Sequence, residues 1–222
     1  MIKETEALVY AMGKSPLGPF EYKGIFMDEH PSKCWTNHHS ILEYKGQWYL
    51  FYHHNDLSPS FDKNRSIRAD RLFFNEDGTI QKVIPTLRGV GVVPAAREIQ
   101  IDRYSAIGEK GAAVEFLDGK KPFEGWKTVL SEKGAWVRFD AVDFGGKAAG
   151  RVRIRAMSET GGALTLRVGK GGAAVDVTAD VPKGEGWQMV TAEVKKPPSG
   201  VQDLELTLGD GGRVEVDWVQ FE

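Results

Sequence analysis

A single cysteine, Cys34, in 222 residues leaves no partner for an intrachain disulfide and no basis for a Cys-rich zinc centre. The redox compartment stays open, because many exported proteins also lack disulfides. Basic excess is absent as well: Lys+Arg 29 against Asp+Glu 31 gives a net charge of -2, so no chain-wide positive field exists to hold a polyanion, and nucleic acid is not expected as a partner. No apolar run reaches the roughly eighteen residues a membrane helix needs. The opening MIKETEALVYAMGKSPLGPF lacks a basic segment followed by an apolar one, so no export signal is read in the chain as written. Helical periodicity is missing too: no stretch of about twelve residues keeps an i, i+3, i+4, i+7 apolar pattern free of Gly and Pro. What the chain does have is 41% hydrophobic and 27% charged residues, the balance of a protein that buries a core.

The two ends differ in composition. All five histidines and five of the six tyrosines precede residue 55, whereas only five of the 26 glycines precede Leu87. Two glycines and two prolines break the pattern across Pro85-Thr-Leu-Arg-Gly-Val-Gly-Val-Val-Pro94, which places a domain joint near residue 93. Before it, short β-runs are expected from Phe20 to Met27, Ser40 to Tyr44, Trp48 to His53, Ser66 to Phe74 and Thr79 to Ile84, with Lys45-Gly46 and Glu76-Asp77-Gly78 as hairpin turns. After it, ten runs follow at the spacing of a β-sandwich. Alternation is explicit in Val152-Arg153-Ile154-Arg155-Ala156 and Leu164-Thr165-Leu166-Arg167-Val168, one face wet and one buried.

The densest polar and aromatic stretch runs from Trp35 to Asp56. On an extended strand His38 and Ser40 share one face and His39 and Ile41 the other, so only one of the two histidines faces any given site. A lone histidine is weak evidence for a metal. The strings Asn37-His38-His39-Ser40-Ile41, Glu43-Tyr44-Lys45-Gly46, Trp48-Tyr49-Leu50-Phe51-Tyr52-His53, Arg65-Ser66-Ile67 and Leu72 to Ile80, with the earlier Tyr10-Ala11-Met12 and Ser15 to Gly24, resemble the C-terminal blades of glycoside hydrolase family 43. That family holds β-xylosidases, α-L-arabinofuranosidases and arabinanases on a five-bladed β-propeller. The resemblance implies that His38 contributes to an ion site on the propeller axis, that Arg65 lies near the sugar, and that Asn37 and His39 edge the pocket.

An inverting glycosidase needs two carboxylates about 6.5 to 9.5 Å apart, one activating water and one protonating the leaving oxygen. The strings that carry them in this family are not found here, and Glu43, Asp56, Asp62 and Asp70 fall outside the matched catalytic strings, so no catalytic residue is assigned. The resemblance therefore implies the last blades of an incomplete propeller in residues 1–93: a truncated product, a late start or one piece of a split protein, with the N-terminal blades as a candidate partner. Location is left open. The intact enzyme is expected in the periplasm or outside the cell.

Residues 94–222 resemble the β-sandwich of carbohydrate-binding module family 6. The strings are Ile99 to Ser105, Phe116-Leu117-Asp118, Phe123 to Lys127, Trp136-Val137 and Val216-Asp217-Trp218-Val219. The resemblance implies a structural calcium held by Gln100, Asp102 and Asp217, oxygen donors suited to Ca²⁺. It also implies sugar binding through an Asn two residues before the terminal Asp, where this chain has Glu215, and through aromatics, for which Trp126, Trp136, Trp187 and Trp218 are available. The expectation is an all-β chain, a partial propeller followed by a jelly-roll sandwich, that belongs to an inverting hydrolase of plant cell-wall arabinoxylan, arabinan or xylo-oligosaccharides. A non-catalytic carbohydrate-binding or structural module is the alternative.

Overall fold

The computed structural model describes residues 6–29, 35, 37–55, 65–146 and 149–222. Cys34, Asp56 and Asp62 lie outside the described residues. The chain is all-β and divides into two compact units, 1–90 and 91–222. No helix among the described residues is long and apolar enough to cross a membrane.

The first unit holds β1 (Leu8–Gly13), β2 (Phe20–Met27), β3 (His39–Tyr44), β4 (Gln47–His54) and β5 (Ser66–Leu72). β1 and β2 form an antiparallel hairpin, and β3, β4 and β5 a three-stranded antiparallel sheet in chain order. Lys45 and Gly46, with φ of 52° and 76°, make the two-residue turn between β3 and β4. Positive φ at both positions matches the right-handed twist of the flanking strands. Leu8, Phe26, Met27, Leu50, Tyr52, Leu72 and Val83 form one core, with Tyr10, Ile41 and Ile80 packed against it.

Thr79 to Ile84 is not the strand its sequence predicts. Gln81 N–H donates to Phe73 O at 2.9 Å and Val83 N–H to Phe26 O at 2.7 Å, so the segment's hydrogen bonds are split between two neighbours. Only an isolated bridge, Phe74 to Ile80, remains.

The second unit is a sandwich. Its strands are β6 (Val93–Pro94), β7 (Ile99–Gln100), β8 (Ala106–Ile107), β9 (Ala112–Phe116), β10 (Trp126–Leu130), β11 (Trp136–Asp143), β12 (Arg151–Met157), β13 (Gly162–Val168), β14 (Val175–Val181), β15 (Gln188–Glu193), β16 (Val201–Gly211) and β17 (Val214–Phe221). One sheet runs β15-β12-β17-β10-β9 with β7 also on β17, the other β14-β13-β16-β11-β6 with β8 also on β11. From β10 to β17 the chain changes sheet at every connection except β13 to β14, the jelly-roll pattern. Ile154, Leu164, Leu166, Leu204, Leu206, Leu208, Val214 and Val216 are fully buried between the sheets. Their alternates point outward, which is what the period-two pattern requires.

Candidate functional site

In the first unit the polar residues gather where β3 starts and β4 ends. Asn37 is 3% exposed, its backbone N–H donates to Glu6 Oε2 at 2.8 Å, and neither of its side-chain amide atoms has a hydrogen-bond partner among the described residues. A buried unpaired polar group costs about 1–3 kcal/mol, so this amide is a place where a further partner would gain much. The His38 ring lies 6.0 Å from that of His53, and His53 N–H donates to His38 O at 3.2 Å. His39 turns the other way and meets Phe26 edge-on with 5.5 Å between ring centres. Loss of water, and next the neighbouring His38, hold its imidazole below the ordinary histidine range. Arg65 is exposed just ahead of β5, whose first residue pairs with His54. Asp70 is a buried acid with a structural role: Tyr52 OH donates to it at 2.6 Å, and the Thr86 backbone N–H at 3.1 Å and hydroxyl bind it as well.

In the second unit the calcium candidates lie on β7, just after it and on β17, where the ladder is irregular. Arg155 pairs with Trp218 but Ala156 with Val216, so Asp217 is the extra residue of a bulge. Its carbonyl accepts the Ile101 N–H at 2.9 Å, and the β7 register sets Gln100 opposite Trp218. Asp102 is 8% exposed. Burial pushes its carboxyl above the ordinary carboxylate range, and the charge of Asp217 adds to the shift. Asp217 itself forms an ion pair with Arg155. No three His, Cys, Asp or Glu side chains cluster as a metal site among the described residues. The candidate set is instead two carboxylates and one amide, hard oxygen donors around a desolvated acid, which suits a cation of the calcium type.

The four tryptophans differ in access. Trp218 is 8% exposed with the Arg153 guanidinium 5.8 Å from its ring centre, Arg155 lies 4.9 Å over Trp187, and Trp126 stacks on Phe116 at 4.3 Å. Glu215 is sealed by Lys127 Nζ at 2.6 Å and by Arg213 at 2.9 Å, beside a cavity of about 120 Å³. That is below the roughly 300–1,000 Å³ of small-molecule sites. Trp136 is half-buried as well, with the Arg138 guanidinium 5.8 Å from its ring centre. It stands at the end of a row on the outer face of the second sheet, where the register aligns Trp136 of β11, Thr207 of β16, Thr165 of β13 and Thr178 of β14. Strands lie about 4.8 Å apart, so hydroxyls repeat across the sheet at a spacing near that of successive sugar rings. Sequence reasoning missed this row; the signal was threonine at outward positions in three strands, of which β16 is separated in the chain from β13 and β14 by a strand of the other sheet.

Residues 109–222 match the carbohydrate binding module (family 6). A β-xylosidase of Xylanibacter ruminicola is 45% identical over 82 residues, 36% of this chain and 24% of that protein. A glycoside hydrolase family 43 arabinoxylan arabinofuranohydrolase from Bacillus subtilis, solved with cellotetraose, shares the fold over 97% of this chain and 47% of its own, with TM-score 0.63 and 24% identity. A β-1,3-glucan-binding family 6 module from Bacillus halodurans matches 60% of this chain and 99% of its own, with TM-score 0.50 and 26% identity. The chain spans about a quarter of the length of the first of these relatives.

Proposed function

Through residues 109–222 the chain belongs to carbohydrate-binding module family 6, and from that membership we propose that it binds xylose- and arabinose-containing plant glycans on the outer face of the second sheet, as part of a family 43 hydrolase system acting on arabinoxylan. The row Trp136, Thr207, Thr165 and Thr178 carries the reading, since it offers an apolar end wall and evenly spaced hydroxyl donors and acceptors on a rigid face. In the first unit β1 to β5 correspond, in this reading, to blades of the propeller, with Asn37, His39 and Arg65 toward sugar and His38 toward an axial ion. The chemical step is not assigned to this chain: of the carboxylates weighed for it, Asp70 is already occupied by three donors. Titration calorimetry with xylo-oligosaccharides and arabinoxylan tests the proposal. Binding is expected to fall at least about tenfold, or about 1.4 kcal/mol, in Trp136→Ala. Equal binding by that variant overturns the site.

We also propose that Gln100, Asp102 and Asp217 hold a structural Ca²⁺. The desolvated Asp102 beside a second carboxylate supports it, because a divalent cation would offset the charge that burial penalises there. When bound, the ion supplies charge balance and a tie between β7 and β17. Asp217 would then divide its two oxygens between the ion and Arg155.

A further inference from the structure

We infer that this outer face selects neutral glycans over acidic ones, and that Glu205 sets the choice. The inference rests on the glycan-binding reading of the face. Next to the threonine row runs a second one: Arg138 of β11, Glu205 of β16, Arg167 of β13 and Asp176 of β14. Strand alternation alone would tie Glu205 between the two arginines, yet both turn elsewhere. Arg138 Nε donates to Asp140 Oδ1 at 3.0 Å, and its guanidinium lies 5.8 Å from the Trp136 ring centre. Arg167 Nη1 donates to Asp176 Oδ2 at 3.3 Å and Nη2 to Gly171 O at 3.4 Å. Lys170, at the end of β13, pairs with Asp203 at 2.8 Å. Each of these cations thus has its own carboxylate. The Glu205 side chain, half-buried, makes no hydrogen bond or ion pair among the described residues.

The chemistry of that leftover acid is specific. An ionised carboxylate only accepts hydrogen bonds, and its two oxygens can take two adjacent hydroxyls in charge-assisted bonds stronger than neutral ones. A neutral sugar chain lying along the threonine row presents such hydroxyls. A uronic acid at the same place sets carboxylate against carboxylate, with Asp180 of β14 adding further negative charge on the other side of the row, while Arg138, Arg167 and Lys170 already hold carboxylates of their own and Lys195 and Lys196 stand at the β14 end of the row, two strands from Glu205. Glu205 therefore works both ways, attracting one ligand class and repelling the other.

The test is calorimetry on the full chain with two probes of equal backbone length, a neutral xylo-oligosaccharide and the same oligosaccharide bearing one glucuronic acid branch. The unmodified chain should bind the neutral probe at least about tenfold more tightly. Glu205→Gln should weaken the neutral probe and strengthen the acidic one, bringing the two within about threefold. Glu115→Gln, on β9 at the far edge of the other sheet, should change neither. If Trp136→Ala lowers binding while Glu205→Gln leaves the ratio unchanged, the face binds glycans and the selector assignment is wrong. Should Trp136→Ala leave both probes bound as before, the ligand sits elsewhere and both readings fall.

Discussion

At the scale of single residues, the acids show how position decides role. Asp70 alternates with Leu72 on β5, and Leu72 is 1% exposed, so the side chain must point into the core where only hydrogen bonds make a carboxylate tolerable. Tyr52 and Thr86 supply them, and the Thr86 bonds fasten the chain after Ile84 onto the sheet. Removing the acid leaves the buried Tyr52 hydroxyl without this partner, and a lost buried partner costs about 1–3 kcal/mol. Asp70→Ala is expected to destabilise the first unit by that amount and Asp70→Asn by less. Hydrogen exchange of the β4 and β5 amides checks this, and unchanged protection in the alanine variant would remove the structural role. Parity along Ser66-Ile-Arg-Ala-Asp-Arg-Leu72 sets Asp70 beside Ser66, Arg68 and Leu72 and gives the apolar Ile67 and Ala69 to the other face, so the sequence did not mark Asp70 as inward. Thr86 was not legible as its partner, since sixteen residues and an irregular segment separate them.

Among the elements, the period-two alternation made the strands legible where one partner sits on each side. Arg151 to Met157 and Gly162 to Val168 lie within a residue or two of their expected bounds because each outward polar residue follows a buried apolar one. Bulges carry no such pattern. The extra residue Asp217 in β17 became visible only through the break in pairing with β12, and its carboxylate pairs with Arg155. A second bulge lies in β11, where the register skips between Phe139 and Val142 and Ala141 takes a φ of 59°. The left-handed region costs an L-residue with a Cβ about 1–2 kcal/mol. Glycine would remove that strain while adding about 0.4–1 kcal/mol of unfolded-chain entropy. Ala141→Gly should therefore raise stability slightly, by up to about 1 kcal/mol, and Ala141→Val, whose branched side chain tolerates positive φ poorly, should lower it. Thermal unfolding of the two variants gives the answer. The opposite order would mean that the bulge conformation is not the one retained in solution.

For the molecule as a whole, the two units hold unequal cores. Among the described residues the first buries seven large or small apolar side chains in one cluster while leaving Phe20, Tyr22, Leu42, Tyr44 and Ile67 more than half exposed. The second buries most of the inward positions of two six-stranded sheets. Buried apolar area is the main stabilising term, so the units should unfold separately, the first at the lower temperature. That difference makes the calcium proposal measurable in the full chain. An ion that binds folded Gln100, Asp102 and Asp217 but not the unfolded chain stabilises by about 2.7 kcal/mol at one hundred times its dissociation constant. For a unit of this size that is a rise on the order of ten degrees in the upper transition, with the lower one unmoved. Asp217→Ala should remove most of the calcium-dependent rise, while Asp118→Ala, whose carboxylate caps a turn by accepting the Lys120 N–H at 2.8 Å, should keep it. Calorimetric scans with excess Ca²⁺ and with chelator separate the cases. An upper transition indifferent to calcium would leave Asp102 and Asp217 as a desolvated acid and an arginine-bound neighbour, and the tie between β7 and β17 would rest on the backbone bond from Ile101 to Asp217 and the ladder pairs alone.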